Sequence, residues 1–531
     1  MSTEAAAAPA ESSGDQRLAI LLAMAMFVLV VDTSLMNVSI SAVVHDLDTT
    51  ASGVQSAIAL EALVSAAFIL IGSKIGDLIG RKRAYVLGLL AYAAGALSMT
   101  LSQSLLPIVI FWAVIGGLGA SMLLPSMQSL IHGNFQGAMQ RRAYALVGAS
   151  AAIAAAVGPL LGGFITTYLS WRIAFLGEVV IIAFVLLNIR LVHDVPYTGP
   201  RSVDVVGAIL SAIGMGGIVL GILVWEDGGG AVGALIAAGV VGLASLAWWL
   251  RRRKREGKPA LLDPYLFRSI YFRLGISSQT LQQIALGGLM IALPLFLQMV
   301  LEYNAMEAGL SLAPLSLSMF AVALFAGRKL GNHSPGKIIR LGFLALALGV
   351  AILIPIVPRA HSGWWMVIPL LIAGTGLGLL VSQLNNFTLA PIEPERVSEA
   401  AGVNSAGGSF GLSFGLAFAG AIMLMSLSLV FTHQVNASTV LAPADKHHVS
   451  TELEKNAEVM TNTHLQELLA GQPQDVQDEI IRINTHARPI ALQIALAVPL
   501  IAALLGLLQG FRMTRLPDLE PSDAAESLLA G

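Results

Sequence analysis

Two carboxylates interrupt otherwise apolar stretches near the start of the chain: Asp32 in FVLVVDTSLMNVSI and Glu61 in AIALEALVSAAF. A charge set inside hydrocarbon is costly, so an acid in such a run signals a function unless polar neighbours merely use it to tie helices together. Two such carboxyls at one depth titrate as a coupled pair, and the chemistry open to them is binding a proton or holding a cation. The other polar groups in apolar runs are amides: Asn37, Gln128, Gln279, Gln282, Gln283, Gln383, Asn385 and Asn386. Interhelical hydrogen bonding is one use for them. Asn37, Gln128, Asn385 and Asn386 are assigned to a substrate cavity.

The elements that position these residues follow from composition. The 531 residues are 56% hydrophobic and only 12% charged, with no cysteine and a net charge of −2. Mean hydropathy is +0.77. Soluble domains carry roughly 25% charged residues, so an ordinary globular protein, a disordered chain and a nucleic-acid binder are excluded. A disulfide scaffold and thiolate chemistry are excluded by the missing cysteine. A span of ~20 apolar residues crosses a bilayer as a helix. Such spans fall at about 18–42, 53–73, 84–103, 106–131, 143–168, 174–192, 204–225, 231–250, 274–300, 308–327, 338–357, 364–390, 400–431 and 487–510, fourteen in all. The runs are continuous and not alternating, which selects helices over a β-barrel.

Orientation follows from the basic residues. With both termini cytoplasmic, only Arg172, Arg359, Lys446, Lys455, Arg482 and Arg488 lie outside, leaving 24 of the 30 Lys and Arg inside. That bias predicts a multi-pass protein of the cytoplasmic (inner) membrane. Residues 1–16 read as a disordered cytoplasmic tail before an uncleaved signal anchor. Residues 17–192 then form an N-terminal six-helix bundle, and 193–258 an extra helix pair with the basic loop Arg251–Lys258, a topology anchor beside anionic lipid. Residues 259–511 form a C-terminal six-helix bundle, and 512–531 a cytoplasmic tail. GSKIGDLIGRKR (Gly72–Arg83) and GRKLGNHSPGK (Gly327–Lys337) occupy corresponding loops of the two halves, an echo of the internal repeat that places a midplane site between two rocking bodies. The loop 432–486 carries eight acids, and VSTELEKNAEVM and DVQDEIIRI predict two short amphipathic helices outside the membrane. Five of the ten His lie there, without metal-ligand spacing. GPLLGG (Gly158–Gly163) bends the fifth span at Pro159, and Gly407, Gly411 and Gly415 give the thirteenth a flat face.

These residues resemble the fourteen-span drug:proton antiporters of the major facilitator superfamily, the EmrB/QacA type, over nearly the whole chain. SKIGDLIGRKR is similar to the loop motif GxLaDrxGrk, matched by Asp77, Gly80, Arg81 and Lys82, with Ser73 in place of the first Gly. VVDTSLMNVSI resembles lDxTivNvALP through Asp32 and Asn37, with Ser41 replacing its Pro. AAAVGPLLGG resembles the antiporter motif gxxxGPxxGG through Gly158, Pro159, Gly162 and Gly163, with Ala154 in place of the first Gly. WRIAFLGE is similar to WRWiFliN, with Glu178 where Asn is usual. The fourth span departs: Ala113 and Gly116 stand where the family has Arg and Gln, the Arg being tied to proton coupling.

The resemblance implies an all-α fold of two six-helix bundles plus two extra central helices. It also implies alternating access with Asp77 as a cytoplasmic latch facing a helix N-terminus of the second bundle, and export of an amphipathic, cationic compound against protons; Asp32 and Glu61, the acids set in the apolar runs, are expected to bind them, Glu61 standing where the family more often has an uncharged residue. No cofactor beyond the proton gradient, no metal and no nucleic acid are expected; the partners are lipid, substrate, protons and an adaptor at 432–486. Two other readings stay open: an exporter dedicated to one metabolite or lipid precursor, and a non-transporting protein that docks a partner through 432–486. An enzyme is not expected, because no nucleotide-binding glycine loop, nucleophile elbow or HExxH is evident.

Overall fold

The computed structural model describes residues 13–135, 137–194, 204–224, 230–258, 260–329, 333–393, 396–441, 446, 465, 466, 469 and 471–517. Thirteen helices are long and apolar enough to cross a membrane. The fourteenth span, Trp171–Leu187, has 17 residues, ~26 Å of helix, and takes its start from the Ser170 side chain, which accepts from the Arg172 N–H.

The first half comprises α1 (Ser13–Leu47), α2 (Ala51–Ile79), α3 (Arg81–Leu101), α4 (Leu105–Ile131), α5 (Gly137–Tyr168) and α6 (Trp171–Leu187). Next come α7 (Val205–Leu223) and α8 (Gly230–Arg255). The second half comprises α9 (Ile270–Leu295), α10 (Ala305–Lys329), α11 (Pro335–Ile356), α12 (Val367–Leu389), α13 (Val397–Ala437) and α14 (Gln474–Met513). Packing in the halves matches helix for helix. In the first, α1 packs on α5 and α6, α2 on α4, and α3 on α4 and α6; in the second, α9 packs on α13 and α14, α10 on α12, and α11 on α12 and α14. The halves meet through α2 on α13 and α5 on α10, again a symmetric pair. The extra helices are central in sequence and peripheral in space. α7 lies against both α2 and α13, while only 11% of the α8 span is buried.

The basic run is the last turns of α8, not a free loop. Arg253 reaches the buried Asp204, which caps α7 through the Gly207 N–H at 3.0 Å and also accepts from Trp249 Nε1 and the Leu261 N–H. Lys254 binds Asp263 at 2.7 Å, and Arg396 reaches the same carboxylate at 3.2 Å. Burial works against the charge on Asp263, but the Lys254 and Tyr265 hydrogen bonds and the two cations outweigh it and hold the carboxyl below its usual range.

Two helices exceed their expected lengths. α13 has 41 residues, ~61 Å against a hydrocarbon core of ~30 Å. α14 begins at Gln474, so DVQDEIIRI is continuous with the last span except for a break at Leu496. It does not lie apart as a surface helix, because its apolar stripe has a partner: Ile480, Ile483 and Ala487 pack on Leu427, Phe431 and Val435 of α13. VSTELEKNAEVM, residues 1–12 of the expected tail 1–16, residues 330–332 of the second-half loop and residues 518–531 lie outside the described residues, while residues 13–16 of that tail are not disordered but form the first turn of α1.

Candidate functional site

Asp32 is 1% exposed, at the point where α1, α3 and α4 converge. Tyr92 of α3 donates its hydroxyl to Asp32 Oδ2, and Trp112 of α4 donates Nε1 to Oδ2 at 3.0 Å and to Oδ1 at 3.2 Å. Trp112 lies in a nine-residue π-helical stretch, Ile108–Gly116, whose wider turns reset the phase of the side chains. The position of the family's Arg, Ala113, is fully buried, and the donor next to it is the neutral indole of Trp112.

Glu61 is 8% exposed, makes no hydrogen bond or ion pair among the described residues, and interacts electrostatically with Asp32. Asp32 and Glu61 are both buried in the first half, on helices α1 and α2 that pack on one another. A third acid joins them. Glu178 of α6 is 2% exposed, and both its carboxyl oxygens are buried without a hydrogen-bond partner. Its helix α6 packs on both α1, which carries Asp32, and α3, which carries Tyr92. Tyr92, Trp112 and Glu178 are absent from the candidates drawn from sequence. Glu178 carried the clearest signal, an acid inside an apolar run.

The amides separate by half. Asn37 is 3% exposed with its side-chain oxygen unpartnered, so in this state it is packed in protein and lines no open space. Gln128 accepts the Tyr144 hydroxyl through its backbone carbonyl at 3.2 Å. Asn385 accepts from Asn404 at 2.7 Å, and the side-chain oxygen of Asn386 is buried without a partner. No hydrogen bond joins Asn37 or Gln128 to Asn385 or Asn386 among the described residues.

On the side away from the basic loops, the seam between halves is closed. The Ser41 N–H donates to Gln298 Oε1 at 3.0 Å, the Met306 N–H to Thr167 Oγ1 at 2.9 Å, and Ser413 Oγ to the Ala59 carbonyl at 2.7 Å. The glycines of GPLLGG make this closure sterically possible. Gly158 and Gly162 face Ser34, Leu35 and Val38 of α1, and a Cβ at Gly163 would stand 2.5 Å from the Ala305 carbonyl oxygen. Gly309 of α10 in turn admits the Pro159 carbonyl. The strings GGSFG and GLSFG (Gly407–Gly415) have the spacing of a hydrolase nucleophile elbow, but they lie inside α13 with no strand-to-helix turn, and Ser413 is spent on Ala59.

On the basic side, Asp77 pairs with Arg81 and lies 3.9 Å from Lys74. It is engaged within its own motif, whereas the first turn of α13 presents Glu399 to the Asp263 N–H at 2.6 Å. Gly80 has φ +97°, and a Cβ there would meet Asp194, whose carboxylate accepts the Lys82 N–H at 2.9 Å. Among the described residues no group of His, Asp and Glu could hold a metal ion.

Comparisons with known proteins agree with this geometry. The chain is 27% identical over 432 residues to the probable actinorhodin transporter of Streptomyces coelicolor, covering 78% of this chain and 74% of that one. It is 29% identical to puromycin resistance protein pur8 of Streptomyces alboniger (74% and 80% covered) and 25% identical to multidrug resistance protein Stp of Mycobacterium tuberculosis (80% and 78%). Among solved structures, a proton-dependent oligopeptide transporter superposes with a TM-score of 0.57 at 19% identity, over 95% of this chain and all of the other. The xylose transporter XylE of E. coli, caught in a partially occluded inward-open conformation, gives 0.51 at 12%, over 76% and 92%. With its two matched six-helix halves, and with the family profile matching residues 22–416, the chain belongs to the Major Facilitator Superfamily and is a multi-pass membrane transporter.

Proposed function

We propose that this transporter exports amphipathic, cationic compounds from the cytoplasm in exchange for protons, from a cytoplasmic membrane in which both termini and the basic loops face inward. The observation that carries the reading is the buried Asp32–Tyr92–Trp112 arrangement with an unpartnered Glu61 beside it. Asp32 has its hydrogen-bonding needs met inside the first half, which suits a proton site. Glu61, unpartnered on a helix that packs against α13, suits the contact with a substrate cation. Protons arriving from outside neutralise the pair, weaken its hold on the cation and let the empty carrier reorient; a ligand shifts an equilibrium only through such a difference between states. Asn37, Gln128, Asn385 and Asn386 serve the cavity in the states where the seam opens. The relatives named for resistance to puromycin and to multiple drugs support this substrate class. The Asp77 motif acts as the inner latch, and the projecting α13–α14 pair offers a periplasmic adaptor its landing surface.

The test uses the purified full chain in liposomes with an imposed pH gradient and ethidium as probe. Wild type moves ethidium uphill, Asp32→Asn does not, and Glu61→Gln binds it more weakly. Absence of movement by wild type under any gradient would overturn the reading.

A further inference from the structure

Glu178 is an acid the mechanism above does not use. Among the described residues it has no donor: both oxygens are buried and unpartnered, while Tyr92 and Trp112 are both committed to Asp32. An ion so placed loses its hydration with nothing in return, so the carboxyl holds a proton in this state or finds a partner in another. It lies seven residues into α6, ~10 Å from the end away from the basic loops. The groups around it are few. α1 brings Asp32 and α3 brings Tyr92, while α5 brings no charge to this level, its Arg141 and Arg142 lying at the far end. On α6 itself, Arg172 is spent on Asp46 and the Ser102 carbonyl, at the helix start. Tyr92 has one hydroxyl proton to give, and it gives it to Asp32.

We propose that Glu178 is a second proton carrier beside Asp32. This rests on the proton-coupled reading above and deepens it. A proton from the side away from the basic loops converts the Glu178 carboxylate to the neutral acid. After reorientation it leaves to the basic side. No covalent bond to carbon changes. Each cycle thus exchanges one more proton per substrate than Asp32 alone would.

The experiment has two arms. In liposomes with tetraphenylphosphonium as a monocationic probe, accumulation is measured at a fixed one-unit pH gradient without membrane potential. Losing one coupled proton lowers the attainable ratio about tenfold, so Glu178→Gln accumulates the probe about tenfold less than wild type, and Glu178→Asp restores the difference. In the second arm, pH-difference infrared spectra without any substrate lose one protonated-carboxyl band in Glu178→Gln and a different one in Asp32→Asn. An unchanged ratio in folded Glu178→Gln overturns the carrier role even if the band is lost. An unchanged spectrum overturns proton binding altogether. If wild type moves no probe, the transport reading fails, and the infrared arm still decides whether Glu178 binds a proton.

Discussion

The two halves share one packing scheme and differ in what they bury. The first half buries Asp32, Glu61 and Glu178, whereas the core of the second holds amides: Gln282, Gln383 and Asn404 are each 5% exposed or less, and among the described residues no acid is buried with them. Helix pairing is set by small residues and shape, so one scaffold could be repeated while its polar contents diverged. The lesson is that one packing scheme tolerates different buried polar groups: acids in the first half, amides in the second.

Loss of the acidic centre should have the largest effect. Asp32→Asn should lower gradient-driven transport by about 100-fold or more, the scale of losing a proton-transfer group. Gln282→Ala in the amide half should cost less than about tenfold in the same liposome assay. Equal losses would erase the contrast between halves. Next is the seam that joins them. Gly309→Leu drives a side chain into the Pro159 carbonyl, and overpacking of ~1–3 kcal/mol should depopulate the closed state about tenfold or more, read as slower turnover with a normal thermal melt. Tyr92→Phe removes one hydrogen bond to a charged group, ~1.5–3 kcal/mol, and should reduce proton-driven transport about tenfold while leaving ethidium affinity within about twofold. Asn404→Ala breaks the amide pair with Asn385, ~0.6 kcal/mol, and should raise the apparent KM two- to threefold with the proton requirement intact. The smallest effect lies outside the membrane. Asp263→Asn removes a partly exposed ionic junction of ~0.5 kcal/mol and should lower Tm by about 1 °C at neutral pH. Because this carboxyl is held below its usual value, its contribution is present above pH ~4 and is lost as pH falls through the lower folded value, so wild type and variant should melt together in strong acid.

The spans were legible because each is long, continuous and apolar; even the shortest, Trp171–Leu187, was recovered. Boundaries were less so. The ends of α13 and α14 run past the hydrophobic window because they pack on one another there, and hydropathy does not register a polar helix stabilised by a neighbour. Asp32 and Glu61 were visible as charges out of place. Their donors were not, since a tyrosine and a tryptophan in apolar spans look like packing or interface residues until their polar ends are seen to converge.

The sequence by itself determined that the chain is an all-helical, multi-pass membrane protein, because hydrocarbon offers a peptide backbone no other partners, and that acids occupy the first half. Only the tertiary structure decided which residues meet Asp32. That depends on the rotation of α1, α3, α4 and α6 about their axes, and on the π-helical stretch at Ile108–Gly116 that turns Trp112 toward the acid, neither of which is written in any single span.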